Sequence, residues 1–108
     1  MGESFDIVIA DDQALVVEAL TAVLTQQGHR VVATATTCRG MVERLGAFRP
    51  DICVTGNLFP DGAAVDVVEL VSQVCPETKV VMVTGQTDAE TMRRALDAGA
   101  ATSYACMR

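Results

Sequence analysis

Short apolar runs alternate with longer stretches of helical period along this chain. Phe5 to Ala10, FDIVIA, is a continuous apolar run that ends in two acids, the pattern of a strand buried on both faces. From Asp11–Asp12 onward the apolar positions fall three and four apart. Val16, Leu20, Val23 and Leu24 share one helical face, and Gly28 supplies the stop. Arg30 to Thr36, RVVATAT, predicts a second strand. Thr37 to Phe48 predicts a second helix with Met41, Val42 and Leu45 inward and Pro50 just past its end. Ile52 to Thr55, ICVT, is a third strand, followed by the turn-rich Gly56 to Gly62, GNLFPDG. A third helix is expected from about Ala63 to Val74, with Val67, Leu70, Val71 and Val74 on its apolar side and Pro76 ending it. Lys79 to Thr84, KVVMVT, is the most β-prone run. Thr87-Asp88-Ala89-Glu90 matches a capping box, so a fourth helix should start there and run through Met92, Ala95 and Leu96 to Gly99. Ser103 to Cys106 makes a short fifth strand.

This order is strand then helix four times, then a strand. Strict alternation implies a parallel sheet with helices on both faces, an α/β doubly wound architecture. At 108 residues, half of them hydrophobic, the chain is one domain able to bury roughly two-thirds of its unfolded surface without metal or disulfide.

Charge and cysteines narrow the function. The net charge of −6 repels phosphate backbones, so no nucleic acid is expected to bind through this domain. The cysteines, at 38, 53, 75 and 106, form no CxxC pair, and His29 is the only histidine, which argues against zinc. They lie in apolar segments, as buried free thiols do, and fit a reduced, cytoplasmic setting. MGESFD does not read as a secretory signal, and no apolar stretch reaches the ~18 residues of a membrane span.

Four motifs then fall in order on this frame: the acid pair Asp11–Asp12 after strand one; Arg49-Pro50-Asp51 before strand three with Leu58-Phe59-Pro60-Asp61-Gly62 after it; Thr84 followed by Gly85 after strand four; and Ala95-Leu96-Asp97-Ala98-Gly99-Ala100 at the end of helix four. Together they resemble the receiver domain of two-component response regulators, the CheY-like family, over essentially the whole chain. The LFPDG loop and the ALDAGA helix end look most like the NarL/LuxR-type regulators. The resemblance implies a flavodoxin-like fold with sheet order 2-1-3-4-5 and a site at the carboxyl ends of the strands. It implies a cytoplasmic signalling module, not an enzyme, in a transcription regulator whose DNA-binding part lies elsewhere. Kinases or other regulator proteins are the implied partners.

In such a site, acids after strand one hold Mg²⁺ and an aspartate after strand three accepts phosphate. A Thr or Ser ends strand four, and an aromatic and a lysine lie in and after strand five. Asp11 and Asp12 match the metal acids and Thr84 the switch hydroxyl. The phosphoacceptor position is Gly56, the aromatic position is Ser103 with Tyr104 one place late, and the lysine position is Cys106. An acyl phosphate needs a carboxylate, and neither glycine nor the adjacent Asn57 supplies one. Asp51 starts strand three at its far end, and Asp61 lies beyond the loop proline. Loss of an anion at 56 and a cation at 106 leaves the local charge sum unchanged, as in coordinated decay of the site. With one ligand gone, Mg²⁺ is expected to bind weakly or not at all, and no other cofactor is implied.

Each of these residues also has a plainer reading. Asp11–Asp12 could only cap the first helix, and Thr84 could only be a β-prone strand residue. Cys106 could be buried filler or, with an arginine beside it, a redox thiol. Gly56 could answer to close backbone packing or a positive φ. Two other functions compete with a pseudo-receiver acting through protein contacts. One is a receiver phosphorylated at an unexpected residue. The other is a flavodoxin-like flavin- or nucleotide-binding protein, which the acidic, glycine-free turn Ala10-Asp11-Asp12-Gln13 opposes. The chain stops two residues after Cys106, leaving no fifth helix. A face carrying Ile7, Ile9, Leu15 and Val54, with Cys53 or Val81, is therefore expected to be uncovered and to drive homodimerisation.

Overall fold

The computed structural model describes residues 4–84 and 102–105, the backbone alone at Thr84 and at 102–105. Strand β1 (Asp6–Ala10) leads into helix α1 (Ala14–Gln26), β2 (Arg30–Ala35) into α2 (Cys38–Phe48), and β3 (Ile52–Thr55) into a hairpin of β4 (Leu58–Phe59) and β5 (Gly62–Ala63). Helix α3 (Ala64–Val74), β6 (Lys79–Thr84) and β7 (Thr102–Ala105) follow. The fourth helix expected from Thr87 to Gly99, with its ALDAGA end, lies outside the described residues.

The five long strands form one sheet in the order β2-β1-β3-β6-β7, all pairs parallel. With the hairpin strands set aside this is the 2-1-3-4-5 order that the resemblance implies. The central strand β1 is buried on both faces because its side chains alternate between two cores. Val8 and Ala10 join Cys53, Val80 and Met82 beneath Met41 and Leu45 of α2 and Val65, Val68 and Val71 of α3. Ile7 and Ile9 face the other way, against Val17, Leu20 and Leu24 of α1.

Four expectations need correction. The buried residue of α1 is Val17, with Leu20 and Leu24 partly covered, whereas Val23 is exposed. Helix α3 buries Ala64, Val65, Val68 and Val71 and leaves Leu70 and Val74 outward. In both helices several faces are apolar enough to be read as the inner one, and the sheet selects between them. The stretch after β3 is not turn alone. Leu58 pairs with Ala63 and Phe59 with Gly62 about the Pro60-Asp61 turn, Phe59 is buried, and Gly62 takes φ 149°. Finally, Ile7 and Ile9 are covered rather than open to water, because α1 lies over β1. Cys53 belongs to the opposite core, whereas Val54 and Val81 are half-buried and Leu15 is exposed.

Candidate functional site

The carboxyl ends of β1, β3 and β6 lie side by side, and Asp11, Asp12, Gly56 and the backbone of Thr84 lie there. The Gly56 N–H donates to the Ala10 carbonyl at 2.9 Å, extending the β1–β3 pairing by one bond and bringing Gly56 beside Asp11. Thr55 pairs with Met82, so the backbone of Thr84 continues past the same end of the sheet. Strand β7 runs alongside, with Ser103 level with Met82, Tyr104 with Val83 and Ala105 with Thr84. Cys106 lies outside the described residues.

Gly56 is buried and has no positive φ; among the described residues the positive-φ glycines are Gly28 and Gly62. Its reason is therefore space. A Cβ built at position 56 would lie 2.6 Å from Asp11 Oδ2, 3.3 Å from Asp11 Cγ and 3.9 Å from the Val83 carbonyl oxygen. The Asp11 carboxylate leans into the volume a side chain at 56 would fill. Its other oxygen, Oδ1, accepts the Gln13 N–H at 2.9 Å, which ties the turn between β1 and α1. Burial holds the Asp11 carboxyl above the usual carboxylate range; the Gln13 N–H opposes the rise and neighbouring Asp12 adds to it. Asp12 itself is exposed.

A metal here would need oxygen ligands in octahedral array. Asp11 and Asp12 are the acids present, no group of three or more His, Cys, Asp or Glu able to hold a metal occurs among the described residues, and one Asp11 oxygen already points at Gly56. The donor set does not fit a dedicated Mg²⁺ site.

Two residues set aside as phosphoacceptors, Asn57 for lacking a carboxylate and Asp61 for lying beyond the loop proline, have other work. Asn57 closes the start of α3: its carbonyl accepts the Ala64 N–H at 2.6 Å and its Oδ1 the Val65 N–H at 3.2 Å. Asp61 closes the start of α2 from a distance. Its Oδ1 accepts the Cys38 N–H at 2.8 Å and its Oδ2 the Arg39 N–H at 3.0 Å, and these two bonds hold its carboxyl below the usual range. Thr37 takes the next donor, Gly40 N–H, at 2.9 Å. Nothing local foretold these contacts: α2 has no acid in its first turn and α3 follows Ala63, which cannot cap, so their first N–H groups are closed from elsewhere in the chain. Asp51 sits at the opposite end of the sheet, accepting the Asp6 N–H at 2.9 Å.

The free thiols Cys38, Cys53 and Cys75 are buried. Burial pushes Cys53 up to about 12, and burial with the charges of Asp61 and Asp66 pushes Cys38 up to about 11, so neither is a thiolate at neutral pH.

Comparison with known proteins fits this geometry. The family model for the response regulator receiver domain matches residues 7–103. The transcriptional regulatory protein LnrK of Bacillus subtilis is 32% identical over 95 residues, which span 87% of this chain and 43% of LnrK. The oxygen regulatory protein NreC of Staphylococcus epidermidis is 32% identical over 96 residues, 87% of this chain and 44% of NreC. The chain thus spans less than half the length of these relatives. Among solved structures, the signal receiver domain of the response regulator NarL from Mycobacterium tuberculosis superposes with a TM-score of 0.90 at 24% identity, covering 96% of this chain and 85% of that one.

Proposed function

The chain belongs to the response regulator receiver domain family, and from that premise we propose that it is a receiver without a phosphoacceptor, signalling through protein contacts instead of phosphorylation. As a receiver it is a signal-transduction domain of a two-component response regulator. The observation that carries the further reading is the contact between Asp11 and Gly56. The acceptor position has no side chain, and a neighbouring carboxylate fills its space. An acyl phosphate at 56 has no oxygen to form on. Asp11, the nearest carboxylate, is engaged by the Gln13 N–H, and its raised pKa reflects an anion short of solvent. The same pair explains why Asp11 and Asp12 would hold Mg²⁺ only weakly, around millimolar or worse.

In this reading Thr84, Ser103 and Tyr104 keep the positions of the conformational switch, and Cys106 stands where the phosphate-pairing lysine would be. In the same proposal the parent protein is a cytoplasmic transcription regulator whose DNA-binding part lies outside this chain; of this, the role in transcription follows LnrK, a transcriptional regulatory protein, by analogy. No described helix is long and apolar enough to cross a membrane. Self-association belongs to the same proposal: Val54 and Val81 are register partners, both half-buried, on the side of the sheet that α1 covers only in part.

The test is intact-mass spectrometry after incubation with acetyl phosphate and Mg²⁺. No added phosphoryl group is expected. A gain of one phosphoryl, lost on hydroxylamine treatment, overturns the reading and establishes phosphorylation at an unexpected carboxylate.

A further inference from the structure

Strand β2 is an open edge of the sheet, paired with β1 on one side and with no described strand on the other. The pairing shifts register between Ile7 and Val8, which leaves Val32 as an extra residue near the start of β2. From Ala33 to Ala35 the ladder is regular again. The Ala35 carbonyl points inward, where it accepts the Asp11 N–H at 3.1 Å. Backbone groups of successive strand residues point to opposite edges, so the N–H and carbonyl of Thr34 point out of the sheet. Thr34 is exposed, and neither a charge nor a proline occurs from Val31 to Thr36. An edge without such residues is a template for an added strand.

An open groove runs beside this edge. It has a volume of about 680 Å³ and is lined by Val17, Glu18, Thr21, Ala22 and Thr25 of α1 and by Thr34 of β2. The Thr21 hydroxyl donates to the Val17 carbonyl at 2.7 Å, and Val17 and Ala22 have no polar side-chain atom. This stretch of the groove therefore offers apolar contact to small side chains. Glu18 is exposed, and none of the ion pairs among the described residues involves it. The cation of β2, Arg30, is held by Asp6 at 2.9 Å and does not line the groove.

We infer that the α1–β2 groove takes an extended segment of a partner protein, which adds to β2 as a further strand, pairs with the Thr34 backbone, sets small apolar side chains against Val17 and Ala22 and places a lysine or arginine beside Glu18. Strand addition at a sheet edge is a general mode of peptide recognition, in which backbone bonds give affinity and alternate side chains give specificity. A second copy offering its own β2 is the poorer occupant. Antiparallel two-fold pairing keeps both α1 helices on one face and brings each Glu18 towards the seam, in a chain whose net charge is already −6. The inference goes beyond the proposed signalling role and does not depend on the state of position 56.

The test uses the whole chain and three fluorescein-labelled synthetic peptides of alternating valine and threonine. One has a central lysine, one a central glutamate in its place, and the third is the lysine peptide with its backbone amides N-methylated. Fluorescence anisotropy at near-physiological salt should show binding of the lysine peptide, about fivefold weaker binding of the glutamate peptide, and none of the N-methylated one, which lacks the donors of an added strand. Glu18→Lys should reverse the preference between the first two. Thr34→Pro removes the outward N–H at an edge position, where proline is tolerated, and should weaken binding roughly tenfold. Leu70→Ser, at an exposed leucine on α3, should leave it unchanged. Amide shift changes on the unaltered chain should cluster at Glu18, Ala22, Ala33 and Thr34, which keeps the test independent of how well any variant folds. Absence of binding, binding of the N-methylated peptide, a preference that Glu18→Lys does not reverse, an equal loss in Leu70→Ser, or shift changes elsewhere each overturn the inference. So does sedimentation in which Thr34→Pro abolishes self-association, which would give the edge to a second copy.

Discussion

At the scale of single residues, the site turns on one volume that Asp11 and position 56 compete for. A Cβ at 56 meets Asp11 Oδ2 at 2.6 Å, below any ordinary carbon–oxygen contact, so Asp11 must turn away if position 56 gains a side chain. Oδ2 is the free end of the Asp11 side chain, whose other oxygen is tied to the Gln13 N–H, so Gly56→Ala should destabilise by about 1 kcal/mol, the low end for overpacking a buried position. In an Asp11→Ala background the same change should cost clearly less. A chemical-denaturation double-mutant cycle with no coupling between 11 and 56 would show that the contact carries no energy. Gly56→Asp alone should be a poor restoration of phosphorylation, because Cys106 at the lysine position would leave the phosphate without its cation. Gly56 was legible as a departure from the receiver pattern. That Asp11 fills its space was not, because side-chain direction depends on the strand pairing that brings the two together.

At the scale of elements, α2 and α3 begin on contacts their own segments do not contain. The first N–H groups of α2 are closed by Asp61 from the turn after β4, and Thr37 adds the local cap. Hydrogen bonding holds the Asp61 carboxyl low in the folded chain. A depressed folded pKa contributes stability that is present above the unfolded value, ~3.9, and is lost as pH falls through the folded one. Asp61→Asn should thus lower the melting temperature at pH 7, and the deficit should shrink as pH falls through the lowered folded value and the wild-type carboxylate is itself protonated. A deficit independent of pH would mean that the charge plays no part.

Helix α3 supplies the element-scale check on packing. Val68→Ala removes a buried side chain and should cost on the order of 2 kcal/mol, whereas Leu70→Ala, at an exposed position, should fall within about 0.5 kcal/mol of wild type. The reverse order would return the inner face to the 67/70/74 stripe expected from periodicity. The existence and order of the five long strands and of α1, α2 and α3 were legible, since apolar runs and a period of 3.6 are local properties, whereas the β4–β5 hairpin was read only as turn. The inner faces of α1 and α3 were not, since both helices are apolar on more than one side.

At the scale of the whole molecule, the parallel sheet holds two cores, one under α2 and α3 and a smaller one under α1. Partial cover on the α1 side leaves Val54 and Val81 half-buried and Leu15 78% exposed. Burial of such surface stabilises association by roughly 25 cal/mol per Å². Sedimentation velocity over a wide concentration range should show reversible self-association, and a single monomeric boundary throughout would end that part of the proposal. The charge of −6 acts at this scale too, discouraging contact with nucleic acid and favouring basic partners.

The sequence by itself determined the α/β class, the strand order through its match to the receiver pattern, and the missing carboxylate at 56. These follow from periodicity, alternation and residue identity, which are written locally. Tertiary structure alone decided that Asp11 occupies the vacated space, that Asp61 and Asn57 close helices instead of serving the site, that α1 covers Ile7 and Ile9, and that α3 turns Val68 rather than Leu70 to the core. Each of these is a contact between segments far apart in the chain, and such contacts depend on which faces the packed sheet leaves available.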